Sequence, residues 1–304
     1  MQLIDRSDVR LTFGDDLFMR RHRGLGSPVV NQFVWRFDEQ VPTVALLRMR
    51  DALAQGALAR RAHRSVVPAA RARWSRVVEA PEIVRRDDVL SRHEVMSWLR
   101  LLGTTRLDPS RGDSWRLAVA DLSDGGSVVS LLADHAVADG GAMIDAVERA
   151  ASGRPPLPVP SRSRLAAAVA ADVHDAATQV TAVGRWAAGR VRPAPTGRRS
   201  PRRPRPATRD DGRDRRAVRV PSDGWTPPVV VVECSTAQVA AAAARHGGST
   251  NAWFVAVSAS LAATAGIAVA GRPVRVALPV SARTTDDLRS NATRIAHVDV
   301  GGDV

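Results

Sequence analysis

Lysine and tyrosine are absent from the 304 residues, and cysteine occurs once, at Cys234. One thiol cannot close an internal disulfide, and no Cys/His spacing accompanies it. A secreted disulfide framework and a structural zinc site are therefore both excluded, and the reducing cytoplasm is the expected compartment. The chain opens Met1-Gln2-Leu3-Ile4-Asp5-Arg6 and turns charged at once, so no secretory leader is expected. Charge is missing from one long stretch, Gly247 to Gly271. It is long enough to cross a bilayer, but Ser249, Thr250, Asn251, Ser258, Ser260 and Thr264 lower its apolarity, and a buried core helix is expected instead.

With 44% hydrophobic residues the chain can bury one large domain or two modest ones. The net charge of +13 is mostly local. Between Arg190 and Arg219 twelve arginines face three aspartates, so that segment alone carries +9. All the basic residues are Arg, which together with the missing Tyr reads as GC-rich codon bias and not as selection for phosphate contacts. Nucleic acid is not an expected partner. The same segment is rich in Pro and Gly, cannot pack a core, and reads as a flexible linker over 188–222.

Val29 to Phe37 reads as a strand with Phe33, Trp35 and Phe37 on one face. A helix after Pro42 follows, with Leu46, Met49, Leu53 and Ala57 at helical spacing. Pro68 to Arg106 is mixed, with Ile83 to Arg100 partly helical. Trp115 to Leu122 and Ser127 to Ala133 are apolar runs joined by Ser123-Asp124-Gly125-Gly126, a hairpin signature. Met143, Ile144 and Val147 then line a helix ending near Gly153. Leu165, Val169, Val173, Ala176, Val180 and Val183 mark a long amphipathic helix that reads as a crossover between two halves. Beyond the linker, Val229 to Cys234 reads as a strand and Thr236 to Arg245 as a helix. Ser249 or Thr250 caps a helix carrying Trp253, Phe254, Val257 and Leu261, and Val274 to Val280 and Ile295 to Val300 read as strands.

The chemistry is expected where the second hairpin strand ends, in Asp134-His135-Ala136-Val137-Ala138-Asp139-Gly140. Imidazoles titrate near neutrality, so a histidine held at the end of a buried strand is a candidate general base for a hydroxyl or amine. Asp139, four residues on, would need a loop folding back to act on His135, and it is expected to pair with an arginine and fix the turn. Gly140 is expected to free the backbone for a sharp entry into the next helix. The other six histidines lack ligand spacing.

These residues resemble the acyltransferase superfamily of chloramphenicol acetyltransferase, nonribosomal peptide condensation domains and bacterial wax ester synthase/diacylglycerol acyltransferases, the last branch most of all. The resemblance rests on five landmarks in order: Leu107-Asp108 before Ser114-Trp115, then His135 to Gly140, Thr250-Asn251, Pro279-Val280-Ser281-Ala282-Arg283, and Ser290-Asn291. Two departures matter: Asp134 replaces the first of a doubled His, and the sequence is shorter than the family's two similar subdomains, while within the landmarks Ala252 stands for an Asp and Ser290 for a Gly.

The resemblance implies an α/β fold, an α+β sandwich of two subdomains. The N-terminal subdomain would be complete over 1–187 and the C-terminal one partial over 223–304. It implies an O-acyltransferase moving an acyl group from acyl-CoA to a lipid alcohol or diacylglycerol, soluble or peripheral to a membrane or lipid droplet. His135 and Asp139 would be catalytic, Gly140 and Arg283 structural, and Asn251 and Ser281 candidate oxyanion or substrate contacts. Asp139 would pair with Arg283. No metal or resident cofactor is implied, acyl-CoA being a co-substrate. Two alternatives stand beside it: condensation-like acylation in natural-product biosynthesis, and an inactive half-domain with a binding role. A second chain is a candidate source of the missing subdomain.

Overall fold

The computed structural model describes residues 10–25, 29–161, 165–191, 229–267 and 272–301. The chain divides into two units, one of Met1–Thr226 with Leu288–Asn291, the other of Pro227–Asp287 with Ala292–Val304. Most of the expected linker lies outside the described residues.

The first unit contains α1 (Phe13–Leu25), β1 (Val30–Phe37), α2 (Thr43–Ala54), β2 (Arg60–His63), β3 (Arg73–Arg76), β4 (Val84–Arg85), α3 (Val95–Gly103), β5 (Trp115–Asp121), β6 (Ser127–Asp134), α4 (Gly140–Ser152) and α5 (Leu165–Val191). Four strands form a sheet in the order β1-β6-β5-β4, antiparallel except for the β4–β5 pair. β2 and β3 form a separate hairpin.

Successive side chains on a strand point to opposite faces, and here both faces are covered. Trp115, Leu117, Val119, Val129, Leu131 and Ala133 pack with Leu46 and Leu53 of α2 and Met143 of α4. Ala118, Ala120, Val128 and Leu132 pack with Trp98, Leu99 and Leu102 of α3. Two-sided burial explains why β6 reads as a continuous apolar run: all eight of its residues are buried. At the β5–β6 turn Gly125 takes a left-handed φ of 89°. A Cβ on Gly126 would lie 2.3 Å from the Phe37 carbonyl oxygen, so the glycine pair is a steric requirement.

Several expectations are corrected. α2 ends at Ala54, so Ala57 lies beyond it. Phe33 and Trp35 pack on the core, but Phe37, at the open end of β1, is exposed, as is Ile144 on α4. The valine stripe of α5 is not its buried face. Val173, Val180 and Val183 are exposed, whereas Ala168, Asp172 and Asp175 are buried. α5 is fastened by carboxylates: Asp172 meets Arg10 at 2.8 Å and accepts from Ser65 Oγ at 2.7 Å, and Asp175 meets Arg71 at 2.8 Å. Apolar periodicity named the helix correctly and its buried face wrongly.

The second unit holds α6 (Thr236–Arg245), α7 (Thr250–Thr264), β7 (Val274–Ser281) and β8 (Thr293–Val300), with β7 and β8 paired antiparallel. α6 opens on a capping box, Ser235 with Gln238, and Ser249 caps α7 by accepting from the Ala252 N–H. Val229 to Cys234 forms no strand. It has no ladder partner among the described residues, and its four valines are exposed. Nor is α7 a buried core helix, since Phe254 and Leu261 are exposed and Ala259 is its one buried residue. No described helix is long and apolar enough to cross a membrane.

The carboxylate anchoring of α5 predicts that Asp172→Ala, which takes a buried acceptor from Arg10 and Ser65 and leaves Arg10 the Arg71 carbonyl at 2.8 Å and Asp175 at 3.7 Å, lowers unfolding stability by about 1–3 kcal/mol. Val180→Ala, on the exposed stripe, should change it by less than about 0.5 kcal/mol. Urea denaturation of both variants checks this, and equal losses would contradict it.

Candidate active site

β6 delivers His135 to a turn that is almost wholly buried: Ala136 and Ala138 are 0% exposed and Val137 1%. Water cannot reach such a backbone, so its polar groups need protein partners. They have them. The His135 N–H donates to the Val29 carbonyl (2.9 Å), and the Val137 and Ala138 N–H groups donate to the Asp134 carbonyl (2.9 and 3.2 Å). The Ala136 N–H is taken by the Asp134 side chain at 2.8 Å. The Ala138 carbonyl accepts from Asn31 Nδ2 on β1 at 2.8 Å, and the His135 carbonyl from Asn291 Nδ2 at 2.8 Å. The Asp139 N–H donates to the Ser290 carbonyl at 3.0 Å.

Asp139 is the N-cap of α4, in an extended conformation, and its side chain accepts from the Ala142 N–H at 2.8 Å. That accounts for an Asp four residues after the His: it starts the helix and closes the turn. Gly140 does not have the expected role. It is the first residue of α4, is not among the glycines with positive φ, and no described atom lies within 4 Å of where a Cβ would stand.

Phe18 of α1 stacks on the His135 ring, with centroids 4.0 Å apart and planes 20° from parallel. The imidazole Nδ1 is buried and has no hydrogen-bond partner among the described residues. Asp15, one turn before Phe18, is 1% exposed and accepts from Asn291 Nδ2 at 2.7 Å and from the Thr12 N–H at 2.8 Å. Burial pushes the Asp15 carboxyl above the ordinary range, against these hydrogen bonds and the nearby Arg60. Arg60 in turn donates to Ser290 Oγ at 3.0 Å and to the Leu288 carbonyl at 2.9 Å. A hollow of about 180 Å³ is bordered by Thr12, Asp15, Trp74 and Ser290, and one of about 250 Å³ by the ends of α2 and α4. His135 borders neither.

The structure thus gathers His135, Asp139 and Gly140 with four groups that the sequence did not single out as site residues: Asp15, Phe18, Asn31 and Arg60. Ser290-Asn291, known from the sequence only as a landmark, joins them. Thr12 and Asp15 exchange backbone hydrogen bonds, and this T-x-x-D capping pattern was a readable signal for α1. The remaining expected residues belong to the second unit. Asn251 is the second residue of α7, Ser281 ends β7 and accepts from the Arg283 N–H at 3.3 Å, and the Arg283 guanidinium donates to the Asp287 carbonyl at 3.1 Å.

Asp134 has a distinct electrostatic character. It is 2% exposed, and burial, aided by Asp108 and opposed by the Ala136 N–H, pushes its carboxyl up to about 7. The folded state therefore favours the neutral acid. Relative to the unfolded value of 3.8, stability is fully present below about pH 4 and is lost as pH rises through 7, by about 4 kcal/mol in all. Asp134→Asn stays neutral and keeps an oxygen for Ala136. Its stability relative to the parent should rise by that order between pH 4 and pH 8 in denaturation experiments. A pH-independent difference would contradict the assignment.

The sequence matches no protein-family model and no curated protein. Solved structures do resemble it. The first condensation domain of the CDA synthetase matches with a TM-score of 0.59 at 15% identity, over 96% of this chain and 68% of that one. The condensation domain of the monacolin K polyketide synthase MokA matches at 0.52 and 13% identity, over 97% and 68%. The SgcC5 protein from Streptomyces globisporus matches at 0.51 and 16% identity, again over 97% and 68%. The chain has the α/β fold of condensation domains.

Proposed function

We propose that the chain is an acyltransferase of the condensation type, with His135 as general base. The imidazole takes the proton from an acceptor amine or hydroxyl as that nucleophile attacks a thioester carbonyl. A C–N or C–O bond forms, the C–S bond breaks, and the proton leaves with the thiol. Orientation of the two reactants supplies much of the rate, and a polar donor stabilises the oxyanion. The observation that carries the reading is the His135 ring itself: all five N–H groups of the turn are bonded to protein, whereas the buried imidazole Nδ1 has no hydrogen-bond partner among the described residues.

Acylation of a natural-product intermediate is favoured over wax ester or triacylglycerol synthesis, because the resembling structures are condensation domains of antibiotic and polyketide synthetases. A hydroxyl acceptor stays within this reading, since SgcC5 was solved in complex with an aryl 1,2-ethanediol. The chain spans 68% of the length of the condensation domain it resembles.

The test is acyl transfer from carrier-bound thioesters and from acyl-CoA to amines, aryl diols, long-chain alcohols and diacylglycerol. Transfer from the carrier-bound donor should fall by about 10²–10⁴-fold in His135→Ala. Products formed only with acyl-CoA and lipid alcohols would restore the lipid reading. Equal turnover in parent and variant would remove His135 from the mechanism.

A further inference from the structure

The residues that hold the His135 turn arrive from a segment more than 150 positions later in the chain. Leu288–Asn291 belongs to the first unit although the residues flanking it on both sides belong to the second. Ser290 and Asn291 are consecutive, and they take the two ends of the motif. The Ser290 carbonyl accepts from the Asp139 N–H at 3.0 Å, and Asn291 Nδ2 donates to the His135 carbonyl at 2.8 Å. Arg60, itself 4% exposed, fastens the segment from the other side through Leu288 and Ser290.

We propose that Leu288–Asn291 is a positioning strap for the catalytic turn, and that Asn291 is a positioning residue for His135. An amide nitrogen has two protons, and Asn291 uses both. One goes to Asp15 Oδ1 at 2.7 Å and the other to the His135 carbonyl at 2.8 Å. Asp15 lies on α1, the helix that stacks Phe18 on the imidazole. One NH₂ group therefore fixes the backbone of His135 and the helix that covers its ring. Without it a buried carbonyl and a buried carboxylate would lose their shared donor, and the turn would have to move to find another. A displacement near 1 Å at a base costs about a hundredfold in rate.

The activity arm of the test rests on the proposed acyl transfer, whereas the spectroscopic arm does not. Asn291→Ala should lower kcat by about tenfold to a hundredfold with KM within about twofold, and should move the pH limb of kcat that reports the base. It should also shift and broaden the His135 ring resonances in NMR spectra. The paired exchange Asp15→Asn with Asn291→Asp separates positioning from plain stability. It restores a donor–acceptor link between those two side chains but leaves the His135 carbonyl without a donor. The exchange should recover the unfolding midpoint relative to Asn291→Asp alone while kcat stays depressed. Recovery of kcat together with stability would overturn the proposal, as would parent-like His135 resonances in Asn291→Ala. A parent without transferase activity would defeat the proposed function, and the resonances would still decide the role of Asn291.

Discussion

The structure depends on one constraint: the backbone from His135 to Asp139 is buried, so its polar groups must be met by protein. Leaving one buried donor or acceptor unmet costs about 1–3 kcal/mol, a large fraction of a domain's net stability. The partners come from three places: the end of β6 through Asp134, β1 and the residue before it through Asn31 and Val29, and the strap through Ser290 and Asn291. Elements far apart in sequence are held together by the needs of a five-residue turn.

That constraint also shapes the chemistry. A base is effective when its position is set before the reactants arrive, because orientation is then not lost during the reaction. Here the backbone is fixed by hydrogen bonds on both sides, the ring by stacking on Phe18, and the helix after it by an N-cap. Asp139 caps the helix that follows, accepting from the Ala142 N–H. The imidazole Nδ1 is a buried side-chain atom without a hydrogen-bond partner among the described residues.

Legibility in the sequence followed the kind of force at work. β5, β6 and α4 were readable because burial on two faces and a glycine turn leave strong apolar and steric signatures. β2 and β3 were not, since Arg60-Arg61-Ala62-His63 and Arg73-Trp74-Ser75-Arg76 are dominated by charge and pair only in three dimensions. The face of α5 was misread because carboxylates bury it against Arg10 and Arg71, while its valines face outward. Val229 to Cys234 misled in the opposite way, having strand composition without a partner. His135 and Asp139 were singled out as candidates from local pattern. Asp15, Asn31 and Arg60 reach the site through polar contacts to residues far away in sequence, which no periodicity records.

The likeness to condensation domains is a likeness of fold, and the turn gives that fold a candidate for chemistry. Both rest on the turn being rigid. Amide hydrogen exchange on the native protein tests this most directly at His135, Ala136, Val137, Ala138 and Asp139, each of whose N–H groups is bonded to protein. The account predicts that all five exchange as slowly as the core amides of β6. Exchange at the rate of an exposed loop would contradict it.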